Sequence, residues 1–487
     1  MSDVTTLINP ADETVLGTVP HSTVEQVDEA VARAAEAQRA WSALAPAERA
    51  AALRRFASAV EGAIEELAAL EVANSGHPIG QARWEAGHVR DVLTYYAAAP
   101  ERMIGKQIPV AGGIDVTFLE PIGVVGVIVP WNFPMTIASW AFAPALAAGN
   151  AVVLKPAEWT PLTALRLAEL GREAGLPPGL FQVLPGRGDV VGERFVSHPG
   201  IGKIVFTGST AVGKRVMAGC AENVKAVTLE LGGKSANVVF ADADLELAAA
   251  TAPYAVFENA GQDCCARSRI LVQRSALDRF LELLEPAVKG VRVGHPGDAA
   301  TEMGPLVAKA HLDRVSAYVP DDAPVAFRGS APDGPGFWFP PTVLLPTSRS
   351  HRTVTDEIFG PVVAVLPFED EADAIALANA GDYGLSGSIW TRDLGRAFRV
   401  SRGIASGNLS VNSNSSVRYS TPFGGFKQSG LGRELGPDAA EAFTETKNVF
   451  LSIPDAPADL PPAQPAAVPP AQPTTPEPIG PEQGARP

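Results

Sequence analysis

Three side chains in this sequence could carry chemistry, two of them polar groups in otherwise apolar runs. Cys264 lies in Asn259-Ala260-Gly261-Gln262-Asp263-Cys264-Cys265-Ala266, Asn132 in Pro130-Trp131-Asn132-Phe133-Pro134, and Glu230 in Leu229-Glu230-Leu231-Gly232-Gly233-Lys234. A cysteine is either a nucleophile or a small buried hydrophobe. An amide and an acid in apolar runs need partners or a task. For Glu230 the plain alternative is a solvated strand end or a buried ion pair with Lys234.

A second candidate is the loop Phe206-Thr207-Gly208-Ser209-Thr210-Ala211-Val212-Gly213-Lys214, which follows a predicted strand. It matches a phosphate-binding loop except at its last position, where Arg215 replaces the hydroxyl that would hold magnesium, and this disfavours triphosphate chemistry. Thr210 stands where the usual dinucleotide fingerprint needs a glycine. What remains is a strand-turn-helix able to offer backbone N–H groups to an anion, or simply a tight turn. The seven histidines (21, 77, 88, 198, 295, 311, 351) show no ligand spacing, and Cys264-Cys265 with the distant Cys220 makes no zinc knuckle, so no metal is expected.

The elements that must hold these residues can be read from the rest of the chain. Its 487 residues are 46% hydrophobic and 19% charged, with a net charge of −15. That is two or three domains, not a disordered chain, and the acidic balance argues against nucleic acid as a partner. Three cysteines cannot make a disulfide framework, and no signal peptide is visible, so a cytoplasmic location is expected. From Pro121 to Leu154 there is no charged side chain, yet Pro130, Pro134 and Pro144 break the run. It reads as a strand Ile122 to Val129, a helix opened by Pro134 and a strand Ala151 to Leu154, rather than as a membrane span.

Further β-branched runs, Lys203 to Phe206 and Asn237 to Phe240, alternate with helical stretches, which predicts an α/β fold with a largely parallel sheet. Ser22 and Glu25 have capping-box spacing for a first helix, and one long helix should run from Pro46 to Asn74-Ser75-Gly76. Between Gln107 and Glu120 an alternating pattern split by Ala111-Gly112-Gly113 predicts a hairpin whose edges could meet another subunit. Ala456 to Pro487 holds eleven prolines and no aromatic residue, and is expected to stay extended and disordered outside the fold.

Taken together, the motifs resemble those of the NAD(P)-dependent aldehyde dehydrogenase superfamily from about residue 5 to about residue 453. They are Pro130-Trp131-Asn132-Phe133-Pro134, Lys155-Pro156-Ala157-Glu158, Phe206-Thr207-Gly208-Ser209, Leu229-Glu230-Leu231-Gly232-Gly233-Lys234, Gly261-Gln262-Asp263-Cys264, Glu357-Ile358-Phe359-Gly360-Pro361 and Pro422-Phe423-Gly424-Gly425-Phe426-Lys427. The resemblance implies a Rossmann-like cofactor domain (1–105 and 121–232), an α/β catalytic domain (233–432) and an oligomerisation arm (106–120 and 433–455) built on a bridging β-hairpin, making a homodimer or homotetramer.

It also implies residue roles. Cys264 would add to the aldehyde, and the Asn132 amide with the Cys264 backbone N–H would hold the oxyanion. After hydride leaves to the nicotinamide, Glu230 would activate water to hydrolyse the thioester. Trp131, Lys155, Glu158, Gly208, Ser209, Gly213, Glu357 and Phe359 would contact the cofactor. A carboxylate at Glu158 accepts from a ribose 2′-hydroxyl and repels a 2′-phosphate, which favours NAD over NADP. Phe133, Trp140, Cys265 and Phe423 would line the substrate tunnel. Asp263 could attract an ammonium, because the Asn-Ala-Gly-Gln-Asp-Cys run is similar to that of bacterial γ-aminobutyraldehyde dehydrogenases. Glu230 speaks against the CoA-acylating alternative, and the intact set of Cys264, Asn132 and Glu230 speaks against a catalytically silent relative.

Overall fold

In the computed structural model, residues 4–453 apart from 416 are described. The proline-rich stretch 456–487 lies outside the described residues.

The uncharged segment folds as a buried strand-helix-strand unit: Val124–Ile128, Pro134–Ala147 and Ala151–Lys155. Pro134 takes the first helical turn, where its missing N–H costs nothing, and every residue of this helix is buried. A chargeless run is thus a helix packed on all sides between elements. Among the described residues no helix is long and apolar enough to cross a membrane.

This unit is the centre of a six-stranded sheet ordered Gly430–Leu431, Ala226–Glu230, Lys203–Thr207, Val124–Ile128, Ala151–Lys155, Phe181–Val183. Its strands are parallel except the first, which returns from late in the chain to pair antiparallel with Glu230 and Leu229. The strand after Val124–Ile128 lies on one side of it and Lys203–Thr207 on the other, so the order reverses there, the place where α/β sheets open a crevice for ligands. A second sheet of seven strands, ordered Val325–Arg328, Thr342–Leu344, Val362–Phe368, Arg269–Gln273, Ala236–Val239, Ser386–Trp390, Asn408–Val411, is parallel apart from its first edge strand. One apolar core joins the first sheet to the N-terminal helices, and two others cover the faces of the second. The observed strands fall one or two residues inside or beside the expected ones.

Two expectations about helices need correction. The first helix, Val24–Ser42, is capped by Thr23 rather than Ser22: the Gln26 N–H donates to Thr23 Oγ1 (3.2 Å) and the Thr23 N–H to Gln26 Oε1 (2.9 Å). An amide oxygen serves in the reciprocal bond as a carboxylate does, so the pattern admits a cap one residue later. The long helix is two, Pro46–Gly62 and Ile64–Ser75. They part at Gly62-Ala63, where glycine weakens the helix and the Ala63 N–H turns to the Val60 carbonyl. The second does end at Gly76, in the left-handed region at φ 81°.

The hairpin forms as expected from Gln107–Val110 and Gly113–Pro121, with Gly112 at φ 76° in the turn, and Thr444–Ser452 adds a third strand. Among the described residues, contacts divide the chain into a body, Val4–Ile104 and Phe118–Lys447, and an arm, Gly105–Thr117 and Asn448–Ile453. Residues 433–447, expected in the arm, belong to the body. The physical reason is local: Phe423 and Glu434 exchange backbone hydrogen bonds (2.7 and 2.8 Å), and Phe443 is buried in the first core.

Candidate active site

Glu230 ends the fifth parallel strand of the first sheet in chain order, Asn132 follows its central strand, and Cys264 precedes the second-sheet strand Arg269–Gln273. The Asn132 segment, the turn before Cys264 and Val307 are drawn together by one hydrogen-bond cluster. The Asn132 amide donates to the Gln262 carbonyl (2.9 Å), and the Asn259 amide donates to the Asn132 carbonyl (2.7 Å). The Gln262 amide donates back to the Asn259 carbonyl (3.0 Å) and its side-chain oxygen accepts from the Val307 N–H (2.9 Å). Asn259, Ala260 and Gly261 all have left-handed backbone, φ 50°, 54° and 71°, so the turn before the cysteine is held against its intrinsic preference. An amide NH₂ has two donors, and only one is spent on Gln262.

Cys264 is partly exposed and lines a cavity of about 440 Å³. Its thiol is raised well above the usual range by the hydrogen bond with Cys265 and by burial, so the resting sulfur is protonated. All five residues expected in the tunnel, Phe133, Trp140, Asp263, Cys265 and Phe423, line the same cavity. Asp263 both faces it and accepts the Cys265 N–H at 2.8 Å. Trp84, Gln81, Tyr254, Glu258 and Arg267, which sequence reasoning missed, complete much of the wall. No spacing signal marks the set, since Gln81 and Trp84 come from the helix Ile79–Tyr96, Tyr254 from Leu245–Phe257, and Glu258 and Arg267 from the turn and loop that follow it. Burial and Asp263 push Glu258 up to about 7, and burial raises Asp263. The Arg267 guanidinium is spent on Ser388 Oγ and the carbonyls of Cys265 and Asn414.

Glu230 is buried, and neither carboxylate oxygen has a hydrogen-bond partner among the described residues. The ion pair with Lys234 is not formed: the Lys234 ammonium is also unpartnered, and burial lowers it to about 7. Burial and the neighbouring Glu434 raise Glu230. Gly424 explains the paired glycines of its motif, because a Cβ there would lie 2.7 Å from Glu230 Oε1. Glu434 is a further missed residue, on the Glu230 side. It is a buried acid raised by desolvation, with Lys203 opposing, and the sequence Arg433-Glu434 looks like any charged turn.

The crevice at the sheet's reversal is a cavity of about 390 Å³ lined by Trp131, Lys155, Glu158, Gly208 and Ser209, as expected. Ser209 caps the helix Thr210–Ala221, whose N-terminus faces that crevice with its free N–H groups. Glu158 accepts the Gly188 N–H (2.7 Å) and stands 3.7 Å from the Lys155 ammonium. These donors, an acid and an uncluttered helix end fit a dinucleotide. Gly213 is placed otherwise: it is buried in the helix, and a Cβ there would come within 2.4 Å of Leu231, so it serves helix-sheet packing. Glu357 accepts the Gly233 N–H (2.7 Å), and Phe359, at φ 62°, meets Trp131 edge-on at 5.3 Å, which links it to the crevice wall.

With this geometry established, comparison with known proteins adds a consistent result. The profile of the Aldehyde dehydrogenase family matches residues 2–449. The chain is 41% identical over 457 residues to an aldehyde dehydrogenase of Emericella nidulans, covering 92% of each. It is 41% identical to a betaine aldehyde dehydrogenase of Cereibacter sphaeroides, over 93% of this chain and 95% of that one. The crystal structure of a betaine aldehyde dehydrogenase from Staphylococcus aureus in complex with NAD+ superposes with a TM-score of 0.90 at 37% identity, over 93% and 92% of the two chains.

Proposed function

The chain belongs to the aldehyde dehydrogenase family, and on that premise we propose that it oxidises a cationic aminoaldehyde to the carboxylate with NAD, by way of a covalent intermediate on Cys264. One observation carries the substrate class. The cavity that opens on Cys264 has two acids, Asp263 and Glu258, among the aromatic faces of Trp84, Phe133, Trp140, Tyr254 and Phe423, while its one cation, Arg267, is committed elsewhere. Aromatic faces and carboxylates attract an ammonium.

The residues then divide the work. The Cys264 sulfur adds to the carbonyl carbon as its thiol proton passes to water, and the second N–H of the Asn132 amide, with the Cys264 backbone N–H, holds the oxyanion. NAD, when bound, supplies the acceptor for the hydride that leaves the thiohemiacetal. The thioester left on Cys264 is hydrolysed by water that gives a proton to Glu230; the C–S bond breaks and the thiol is restored. Glu434 shares the burden of the buried proton, since the two acids repel each other's charge. A water-activating acid at Glu230 favours hydrolysis over transfer to CoA. Lys155, Glu158 and the helix end at Ser209 would hold the dinucleotide, with Glu158 selecting NAD over NADP.

NADH formation, followed across aldehydes matched in size, tests this reading. A cation–π contact of ~1–2 kcal/mol predicts roughly tenfold higher kcat/KM for an ammonium aldehyde than for its neutral isostere. A preference for the neutral partner would remove the aminoaldehyde assignment and leave the family chemistry standing.

A further inference from the structure

Behind the oxyanion residue lies a buried group that the mechanism has not used. Glu71 comes from the helix Ile64–Ser75, Glu85 from the helix Ile79–Tyr96, and His77 from the turn between them. All three are about 1% exposed or less. His77 Nδ1 is 2.5 Å from Glu85 Oε1 and 3.9 Å from Glu71 Oε1. The other Glu85 oxygen accepts from Thr136 Oγ1 (3.3 Å), on the helix that follows Asn132. The imidazole ring meets the edge of Phe133, the residue after Asn132, at 5.4 Å.

A neutral imidazole has one N–H and one lone pair. Here Nδ1 faces two buried carboxylates and donates to Glu85, and the two acids together favour a ring that carries hydrogen on both nitrogens. A separation of 2.5 Å is too short for two ligands of one metal ion at ordinary bond lengths and fits a shared proton. Three acids face the ring electrostatically: Glu71, Glu85 and, further off, Glu258. Burial opposes the charge, the two nearer acids favour it, and the balance raises His77. Below its raised titration point the ring is a cation, and the clamp is lost as pH rises through that point.

We propose that His77, held as an imidazolium between Glu71 and Glu85, is a positioning residue that braces the Asn132-Phe133 segment through its contact with Phe133, opposite the Asn259 bond to the Asn132 carbonyl, and so aims the Asn132 amide at the oxyanion. The inference rests on the oxyanion role given to Asn132 above. It places a charged group under the catalytic loop with no contact to substrate or cofactor, so its removal should act on acylation and spare binding.

The experiment compares His77→Gln, His77→Lys, Glu71→Gln and Asn132→Ala in the full chain, reading the rate of the NADH burst, KM, NAD affinity, melting temperature and the pH profile of kcat/KM. A misplaced donor should slow the His77→Gln burst by about tenfold or more, with KM and NAD affinity unchanged. His77→Lys, which keeps a cation, should recover most of the rate. Glu71→Gln removes one of two carboxylates that hold the proton, so its activity should fall at lower pH on the alkaline side than that of the wild type. A folded His77→Gln with the wild-type burst rate, or a folded His77→Lys no faster than His77→Gln, would overturn the proposal. If neither His77 variant folds, an unmoved alkaline limb in Glu71→Gln overturns it. An unaffected Asn132→Ala beside a slowed His77→Gln also overturns it, because His77 is argued to act through Asn132, whereas unaffected Asn132→Ala and His77→Gln together would count against the oxyanion reading itself.

Discussion

At the scale of single residues, the two adjacent thiols are separated by what they face. Cys264 is partly exposed in the cavity wall and Cys265 is buried. Cys264→Ala should abolish NADH formation and leave NAD binding intact, and Cys265→Ala should keep substantial activity; stopped-flow absorbance of the two variants distinguishes them. Without its hydrogen bond to Cys265, the Cys264 thiol should also ionise at lower pH, visible as faster alkylation near neutrality. Glu230 is raised by burial and by Glu434, so the base form grows as pH rises and steady-state turnover should rise with it. Replacing Glu434 by Gln removes the repelling charge, which should move that rise to lower pH in a kcat profile. Glu230→Gln should still give a burst of NADH with slow turnover; a lost burst would show Glu230 taking the thiol proton. Glu158→Ser should lose ~1.5–3 kcal/mol with NAD, the worth of a charged hydrogen bond, and gain relatively with NADP, measured as a ratio of kcat/KM values.

At the scale of elements, the strand-turn-helix from Lys203 to Ala221 shows how a glycine serves the crevice from behind. Gly213→Ala would drive a methyl to within 2.4 Å of Leu231, so it should cost about 1–3 kcal/mol of stability as overpacking and weaken NAD binding by tilting the helix end. Leu231→Ala in the same chain should restore part of the melting temperature, an outcome that a direct cofactor contact by Gly213 does not predict. The elements themselves were legible wherever burial is uniform: the uncharged run from Pro121 to Leu154 became strand, helix and strand with Pro134 in the first turn. Boundaries were less so. Ala63 carries no breaking signal of its own, and only its turn toward Val60 shows that one helical run is two.

At the scale of the whole molecule, the arm exposes apolar side chains that no core covers: Ile108, Val110, Ile114, Phe450 and Leu451. A hairpin with an open edge and such a surface is a liability in a monomer. We expect a second copy of the chain to cover it. Light scattering should find a dimer or tetramer, and Ile108→Lys with Phe450→Lys should shift the mass toward the monomer; a monomeric wild type at micromolar concentration would refute this.

The sequence by itself singled out the residues proposed to carry the chemistry. Asn132 and Glu230 are marked by polarity within apolar runs, and seven ordered motifs tie them and Cys264 to one family. It also determined the hairpin and the parallel α/β order, because periodicity and turn residues are local properties. Only the tertiary structure decided what surrounds those residues. Glu434 reaches Glu230 through a strand returning some two hundred positions later, and Tyr254, Glu258 and Trp84 meet in one wall from different helices. Histidines that look scattered along the chain include one, His77, that folding places between two buried acids beneath Asn132. Charge, burial and proton position depend on neighbours brought together through space, and no spacing along the chain records them.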